Sequence, residues 1–436
     1  MFEPPIIQSD KSKYKAYGLR NFHKIPQLSK LSSKMKFEID VVARIFPFKT
    51  NNYVINELIR WENVPDDPIF RLTFPQKEML LPGHFQRIAN LLQLGAEKDE
   101  IDREINKIHA ELNPHPAGQM EDNVPLLDGE RLSGIQHKYR ETLLFFPSKG
   151  QTCHAYCSFC FRWPQFIGND AYKIALHETS HVVKYLRKHP EISDVLITGG
   201  DPMIMKAQTL QHYIEPILKA DLPGCRTIRI GTKSLSFWPY KYLIGSEAEE
   251  TLALFKRIVD SGKHLAIMAH FSHPRELSTK AVRLAIKRIR KTGAEIRTQS
   301  PILRRINDDP DVWSQMWKKQ ISLGCIPYYM FVVRNTGAQH YYGLPLQQTY
   351  NIFKNAYQQV SGLARTVRGP SMSTLPGKIQ IIGIFEIHGE KVFGLNMLQS
   401  RNPELVMKPF FAKYNPNATW LDQLKPAFGE KKFPFE

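Results

Sequence analysis

Three of the five cysteines stand together in Cys153-His-Ala-Tyr-Cys157-Ser-Phe-Cys160, directly after an apolar run, while Cys225 and Cys325 are isolated. The C-x3-C-x2-C spacing lets three thiolates converge on one metal cluster and leaves a corner of it without a protein ligand. Iron–sulfur clusters are held by cysteine thiolates in such short runs, and an open position is what a metal site needs to do chemistry. A structural zinc site or free thiols are the alternatives. Zinc usually draws four ligands from two C-x2-4-C or H-x3-5-H halves, and no second half is visible here. Cys225 and Cys325 read as buried thiols. His270 and His273 are equally consistent with packing and with a site, so no role is assigned to them.

The elements that must position the cysteines follow from apolar spacing. Residues 1 to about 135 read as an irregular, helical region, with helical spacing over 52–61 and 81–112 and breaks such as Asn113-Pro-His-Pro. From about 136 the pattern changes. Strands are expected at 143–146, 194–198, 227–231, 264–271, 295–299 and 326–333. Helices are expected near 172–188, 206–219, 247–261, 278–292, 310–323 and 345–358. Val-, Ile- and Leu-rich runs separated by helices argue for a parallel sheet covered on both faces. The expectation is α/β, an incomplete (β/α)6 barrel over 136–345, with a short C-terminal segment over 346–436. Such folds gather chemistry on the loops leaving the C-terminal ends of the strands. The cysteines follow the first expected strand and Gly199-Gly-Asp-Pro202 follows the second. The stretch 378–396 reads as a hairpin turning at His388-Gly-Glu390, and the Pro- and Lys-rich tail as loose surface.

Composition bounds the rest. A hydrophobic share of 42% suffices for a large core, and five cysteines make no disulfide framework, which fits a reducing compartment. The start MFEPPIIQSDKSKYK has no apolar signal region and no run could span a bilayer, so a cytoplasmic protein is expected. The net charge is +17, with ten Lys/Arg against four Asp/Glu in the first fifty residues and a second basic stretch from Lys280 to Arg297. A nucleic-acid partner is one reading. A solvated helix face, with a field that attracts anionic cofactors and an acidic electron donor, is the plainer one, and it is preferred because no zinc finger, basic–aromatic repeat or RNA-binding signature is present.

Several segments in order carry a closer resemblance: His137-Lys-Tyr139, Cys160-Phe-Arg162, Asp194-Val-Leu-Ile-Thr-Gly-Gly-Asp-Pro202, Arg229-Ile-Gly231, His270-Phe-Ser-His-Pro-Arg-Glu276, Gln299-Ser300, Ile306-Asn-Asp308 and Pro376-Gly-Lys378. Over roughly residues 40–395 the chain resembles the lysine 2,3-aminomutase family within the radical S-adenosylmethionine (SAM) superfamily. The resemblance implies a [4Fe–4S] cluster on Cys153, Cys157 and Cys160, with SAM at the open iron. It implies a SAM ammonium held at Gly199, Gly200, Asp201 and Pro202, and Gln299 at a cofactor. It places Lys378 as the lysine that forms a Schiff base with pyridoxal 5′-phosphate (PLP), Tyr139 against the PLP ring, and Lys138, Arg140 or Arg229 at its phosphate. Arg162 matches an arginine that pairs with the substrate carboxylate.

The activity implied is an amino-acid 2,3-aminomutase, an isomerase that uses radical chemistry to move an amino group from Cα to Cβ. Departures are also legible. Thr142 stands where the family has an arginine, the spacing to Cys153 is two residues longer, and the approach to Lys378 is less glycine-rich. Of the two aspartates that receive a lysine ammonium in the family, Asp308 matches one and the other falls on or near Ser371. One carboxylate and one hydroxyl do not make the same site, so lysine, another amino acid or a protein-bound lysine stays open as substrate. Partners implied are a small amino acid, an acidic donor such as a flavodoxin or ferredoxin, and further copies of the chain in a homo-oligomer. The cysteine-rich zinc site that links subunits in the family has no counterpart after residue 395.

Overall fold

Eleven strands join in one mixed sheet whose spatial order follows the chain. The computed structural model describes residues 13–436. Strands β1 (Ile135–Tyr139) and β2 (Thr142–Phe145) form an antiparallel hairpin. From β2 the sheet runs parallel through β3 (Asp194–Ile197), β4 (Thr227–Thr232), β5 (His264–His270), β6 (Glu295–Ile302), β7 (Ile326–Val332) and β8 (Arg368–Ser373). It ends antiparallel through β9 (Gly377–Ile387), β10 (Glu390–Ser400) and β11 (Pro409–Lys413).

Helices α1 (Ser33–Ile45), α2 (Pro82–Gln93) and α3 (Lys98–Glu111) precede the sheet. The parallel crossovers carry α4 (Thr179–Lys188), α5 (Ala207–Lys219), α6 (Gly245–Asp260), α7 (Lys280–Arg290), α8 (Pro310–Ser322) and α9 (Leu346–Gln358) in turn. Parallel strands need such crossovers, and the six expected strands and helices all appear with ends shifted by a few residues, the first helix by more. Caps fix several starts: Thr279 accepts the Val282 N–H at α7, and Asp309 accepts Asp311 N–H at α8, which opens with a proline.

Strand alternation decides what faces inward. Val195, Ile197, Ile228 and Ile230 are buried in the apolar core, while Asp194 and Arg229 lie on the opposite face of β3 and β4. β5 is buried from Leu265 to Ala269, as a strand covered on both sides requires. The sheet curls until its first strand meets the end of β10: the Arg140 N–H donates to the Ser400 carbonyl at 3.4 Å, and Arg401 donates to the His137 carbonyl at 3.2 Å.

Two expectations need correction. The 52–61 segment is helical over 52–58 only, ending in one wide turn, Val54–Leu58, packed beside a strand pair of Ala16–Gly18 and Lys49–Asn51. The tail is not loose. β11 pairs with β10, and Phe410, Ala412, Trp420, Leu421, Leu424 and Phe433 are buried against Ile379, Ile381, Phe393 and Leu395 of the hairpin. Its aromatic anchors outweigh a Pro- and Lys-rich composition, because each buries a large apolar area.

The basic stretch lies on α7 and the start of β6. There Val282, Ala285, Ile286 and Ile289 face the core, Arg288 donates to the Tyr242 carbonyl at 2.8 Å, and Arg297 donates to Glu295 at 2.9 Å. Among the described residues no helix is long and apolar enough to cross a membrane. Residues 1–12, on which the reading of the N-terminus partly rests, lie outside the described residues.

Candidate active site

The cysteine loop leaves the C-terminal end of β2 and is held from both sides. The N-terminal region grips it through main-chain carbonyls: Tyr14 OH and Asn51 Nδ2 donate to the His154 carbonyl at 2.7 and 3.1 Å, and Ser158 N–H donates to the Leu72 carbonyl at 2.9 Å. From the other side comes the Gly199–Pro202 loop, whose Asp201 N–H donates to the Thr152 carbonyl at 2.7 Å. A Cβ on Gly200 would fall 2.5 Å from the Thr152 backbone, so only glycine permits this contact.

Cys153, Cys157 and Cys160 are half-buried and free. Burial pushes all three thiols up, Cys160 only to about 11 because the Arg162 N–H and guanidinium favour its thiolate. Among the described residues no three His, Cys, Asp or Glu groups close on a single-ion position.

Lys378 opens β9 on the far side of the interior. It is 8% exposed and sits in a box of aromatic rings, its Nζ 3.9 Å from the Tyr329 centroid, 5.3 Å from Tyr139 and 5.6 Å from Phe331. No described residue gives it an ion pair. Burial first, then the charges of Arg229, Arg368 and Lys138, drive its pKa well below the ordinary lysine value. Lowering the pKa enlarges the neutral fraction of the amine, which is the form a carbonyl-capturing lysine needs.

A chain of contacts joins Lys378 to the cysteine loop. The Tyr139 hydroxyl bonds Ser373 Oγ at 2.9 Å, and Arg334 Nη2 donates to the Ser373 carbonyl at 3.0 Å. The Arg334 guanidinium lies 4.9 Å from the Phe161 ring centroid, and that of Arg162 lies 5.0 Å from the same ring. The loop after β7 docks on this end of the cysteine loop. Trp163 Nε1 donates to Thr336 Oγ1 at 3.1 Å, and Gly337, at φ +58°, passes where a Cβ would come within 2.9 Å of the indole nitrogen.

The remaining expected residues divide. Lys138 is buried with no partner for its Nζ; burial, then Arg334 and Arg401, lower its pKa to about 7. Arg162 is similarly lowered to about 10 by burial and then Arg334, and its Nη1 has no partner. These two suit anionic groups. Arg140 does not: it sits in the β1–β2 turn, 48% exposed, against Glu141. Arg229 is already neutralised. Its Nε donates to Asp194 at 2.8 Å and its Nη2 to Thr142 Oγ1 at 3.2 Å, so Thr142 completes an internal pair where an arginine was expected.

Asp201 braces its own loop, accepting from Met203 N–H at 2.9 Å, Thr232 Oγ1 at 2.6 Å and Lys233 N–H at 2.9 Å while capping the Pro202–Ile204 turn. Its carboxylate is therefore occupied, and the carbonyls of Gly199 and Gly200 are the acceptors left in that segment. Ser371 is fully buried with its hydroxyl 3.5 Å from the Met330 carbonyl. Asp308 is half-buried beyond β6, and Gln299 is half-buried within it.

Sequence reasoning missed Arg334, Ser373, Tyr329 and Lys49. Lys49 approaches the cluster loop at Thr152 Oγ1 (3.4 Å). Arg334 carried a signal, since it lies just past the C-terminal end of a parallel strand.

A protein of Aquifex aeolicus (strain VF5) described as "Putative L-lysine 2,3-aminomutase" is 33% identical over 405 residues, covering 93% of this chain and 95% of that one. The chain belongs to the lysine 2,3-aminomutase family. The L-lysine 2,3-aminomutase of Clostridium subterminale is 23% identical over 273 residues, 63% of this chain and 62% of that one. The L-lysine 2,3-aminomutase of Haemophilus influenzae is 26% identical over 252 residues, 55% of this chain and 68% of that one. No family model matches. The crystal structure of Streptococcus suis SuiB bound to precursor peptide SuiA covers 51% of this chain and 46% of that one at 14% identity, with a TM-score of 0.34, too low to bear on the fold. Membership in the aminomutase family places the chain among radical SAM isomerases and implies a [4Fe–4S] cluster and SAM.

Proposed function

We propose that this protein is a radical SAM, PLP-dependent amino-acid 2,3-aminomutase built on an incomplete (β/α)6 barrel, moving an amino group from Cα to Cβ of a free amino acid. The observation that carries the reading is Lys378: buried, its pKa driven down by that burial, boxed by Tyr139, Tyr329 and Phe331, and linked through Ser373, Arg334 and Phe161 to the cysteine loop. When bound, the cluster with SAM supplies a source of organic radicals, and PLP supplies an aldehyde that takes up the migrating nitrogen.

The protein's own groups then have defined tasks. Cys153, Cys157 and Cys160 hold three irons. The free carbonyls of Gly199 and Gly200 receive the SAM ammonium. Lys378 would offer its Nζ to the aldehyde, Tyr139 would pack against the ring, and Lys138, which has no acidic partner among the described residues, would take the phosphate. Arg162, two residues beyond the last cluster cysteine, clamps the substrate α-carboxylate with its planar fork. Aromatic walls around Lys378 keep water from the reacting carbons. An acidic flavodoxin or ferredoxin would supply electrons to this cationic protein, and the working form would be a homo-oligomer in the cytoplasm.

The test is anaerobic incubation of reconstituted protein with SAM, PLP, reductant and the common amino acids, followed by separation and mass spectrometry. A β-amino isomer is the expected product. SAM cleavage without any isomer from any amino acid would move the activity to a protein-bound lysine.

A further inference from the structure

The interior carries more positive charge than the α-carboxylate and the PLP phosphate account for by position. Lys138, Arg162 and Arg334 each present a buried nitrogen with no hydrogen-bond partner: Nζ, Nη1 and Nε respectively. None of the three has an ion pair among the described residues, and Asp194, the carboxylate that acts on Lys378, is bonded to Arg229 and Thr142. Buried cations are costly unless an opposite charge meets them; with the Cys160 thiolate beside Arg162 and the phosphate assigned to Lys138, Arg334 is the cation left without an anion.

Their positions separate them. Lys138 adjoins Tyr139, whose ring flanks Lys378, and belongs with the phosphate. Arg162 adjoins the cluster loop, its guanidinium 4.6 Å from the Phe146 centroid, and in the aminomutase reading takes the α-carboxylate. Arg334 stands between them. It shares the Phe161 ring with Arg162, is anchored through Nη2 on the Ser373 carbonyl, and keeps Nε free. Asp308 is not among the charges that act on Lys138, Arg162 or Arg334.

We infer that Arg334 is a specificity-determining residue that receives a second, distal carboxylate, so that the substrate is an acidic amino acid with a short side chain rather than lysine. A planar guanidinium with an open Nε suits a carboxylate. A lysine side chain would bring an ammonium against two guanidiniums, which is selection by repulsion. The inference rests on the aminomutase reading for the role of Arg162, and its test is kept independent of turnover.

The experiment is calorimetric titration of anaerobic protein reconstituted with cluster, SAM and PLP, using L-glutamate, L-aspartate, neutral L-norvaline and L-lysine. One of the acidic pair should bind at least about tenfold more tightly than norvaline or lysine. Arg334→Gln should weaken that ligand by about tenfold to a hundredfold and leave norvaline unchanged. Arg334→Asp should reverse the order of glutamate and lysine. Iron content and thermal unfolding report whether each variant is folded, and Arg334→Lys, which keeps the charge, should retain part of the preference. Norvaline or lysine binding as tightly as both acids overturns the inference, as does a preference that survives in folded Arg334→Gln. Acid-selective binding without any β-isomer on incubation would sink the aminomutase reading and leave this one standing. A β-isomer of lysine alone, with lysine the tightest ligand, would do the reverse.

Discussion

The cysteine loop and the Lys378 pocket are built in opposite ways. The loop is one continuous segment whose three thiols lie within eight residues, and the fold's contribution is to clamp its backbone from the N-terminal region and the Gly199–Pro202 loop. The pocket draws Lys138 and Tyr139 from β1, Tyr329 and Phe331 from β7, Arg334 from the loop beyond, Ser373 from β8 and Lys378 from β9. A contiguous site needs only local order. A dispersed one needs the whole sheet to curl to the right extent, so it is the more exposed to distant change.

Four measurements break or sharpen that contrast. Cys157→Ala should lower bound iron and abolish SAM cleavage altogether, read by iron assay and product analysis; full cleavage in this variant would remove the cluster from the loop. Lys378→Ala should keep iron and some SAM cleavage but lose PLP absorbance and any isomer, separating the two halves chemically. Trp420→Ala, in the C-terminal core far from the cysteines in sequence, should cost about 3–5 kcal/mol and weaken PLP before iron, followed by denaturant unfolding and cofactor retention. Equal loss of both cofactors would show the two regions to be one unit.

The smallest effect is on pH. Lys138 has a folded pKa of about 7, below its unfolded value near 10.5, so unfolding takes up a proton between those limits. Apoprotein stability should therefore rise with pH across that window, by up to about 1.4 kcal/mol per unit for one such group, and fall again as pH drops toward 7. Lys138→Met should flatten the slope in urea titrations at pH 7 and pH 9.5. An unchanged slope would mean that Lys138 is hydrated.

The same contrast explains what could be read from the sequence. The six expected parallel strands and their helices were visible because runs such as Leu265–Ala269 are apolar throughout while the intervening helices are amphipathic. The cysteines declared themselves by spacing, and Lys378 only by resemblance. Arg334 and Ser373 were invisible as partners, because nothing local brings the end of β7 to β1. Arg140 could not be placed from sequence for a related reason: the register shift between Gln136 and Tyr139 turns Lys138 and Tyr139 inward and leaves Arg140 in the turn, while Arg229 lies beside Lys378 but is bonded to Asp194. The tail misled because composition hid a few well-spaced aromatic anchors.

The strand that carries Lys378 has an older neighbour, β8, and a younger one, β10, which follows it in the chain. A chain that leaves the ribosome from its N-terminus therefore completes the cysteine loop and its supports well before the lysine's strand is flanked on both sides. Under the proposed reading the cluster's ligands would be in place early, whereas PLP would have no finished receptor until the hairpin of β9 and β10 had been made.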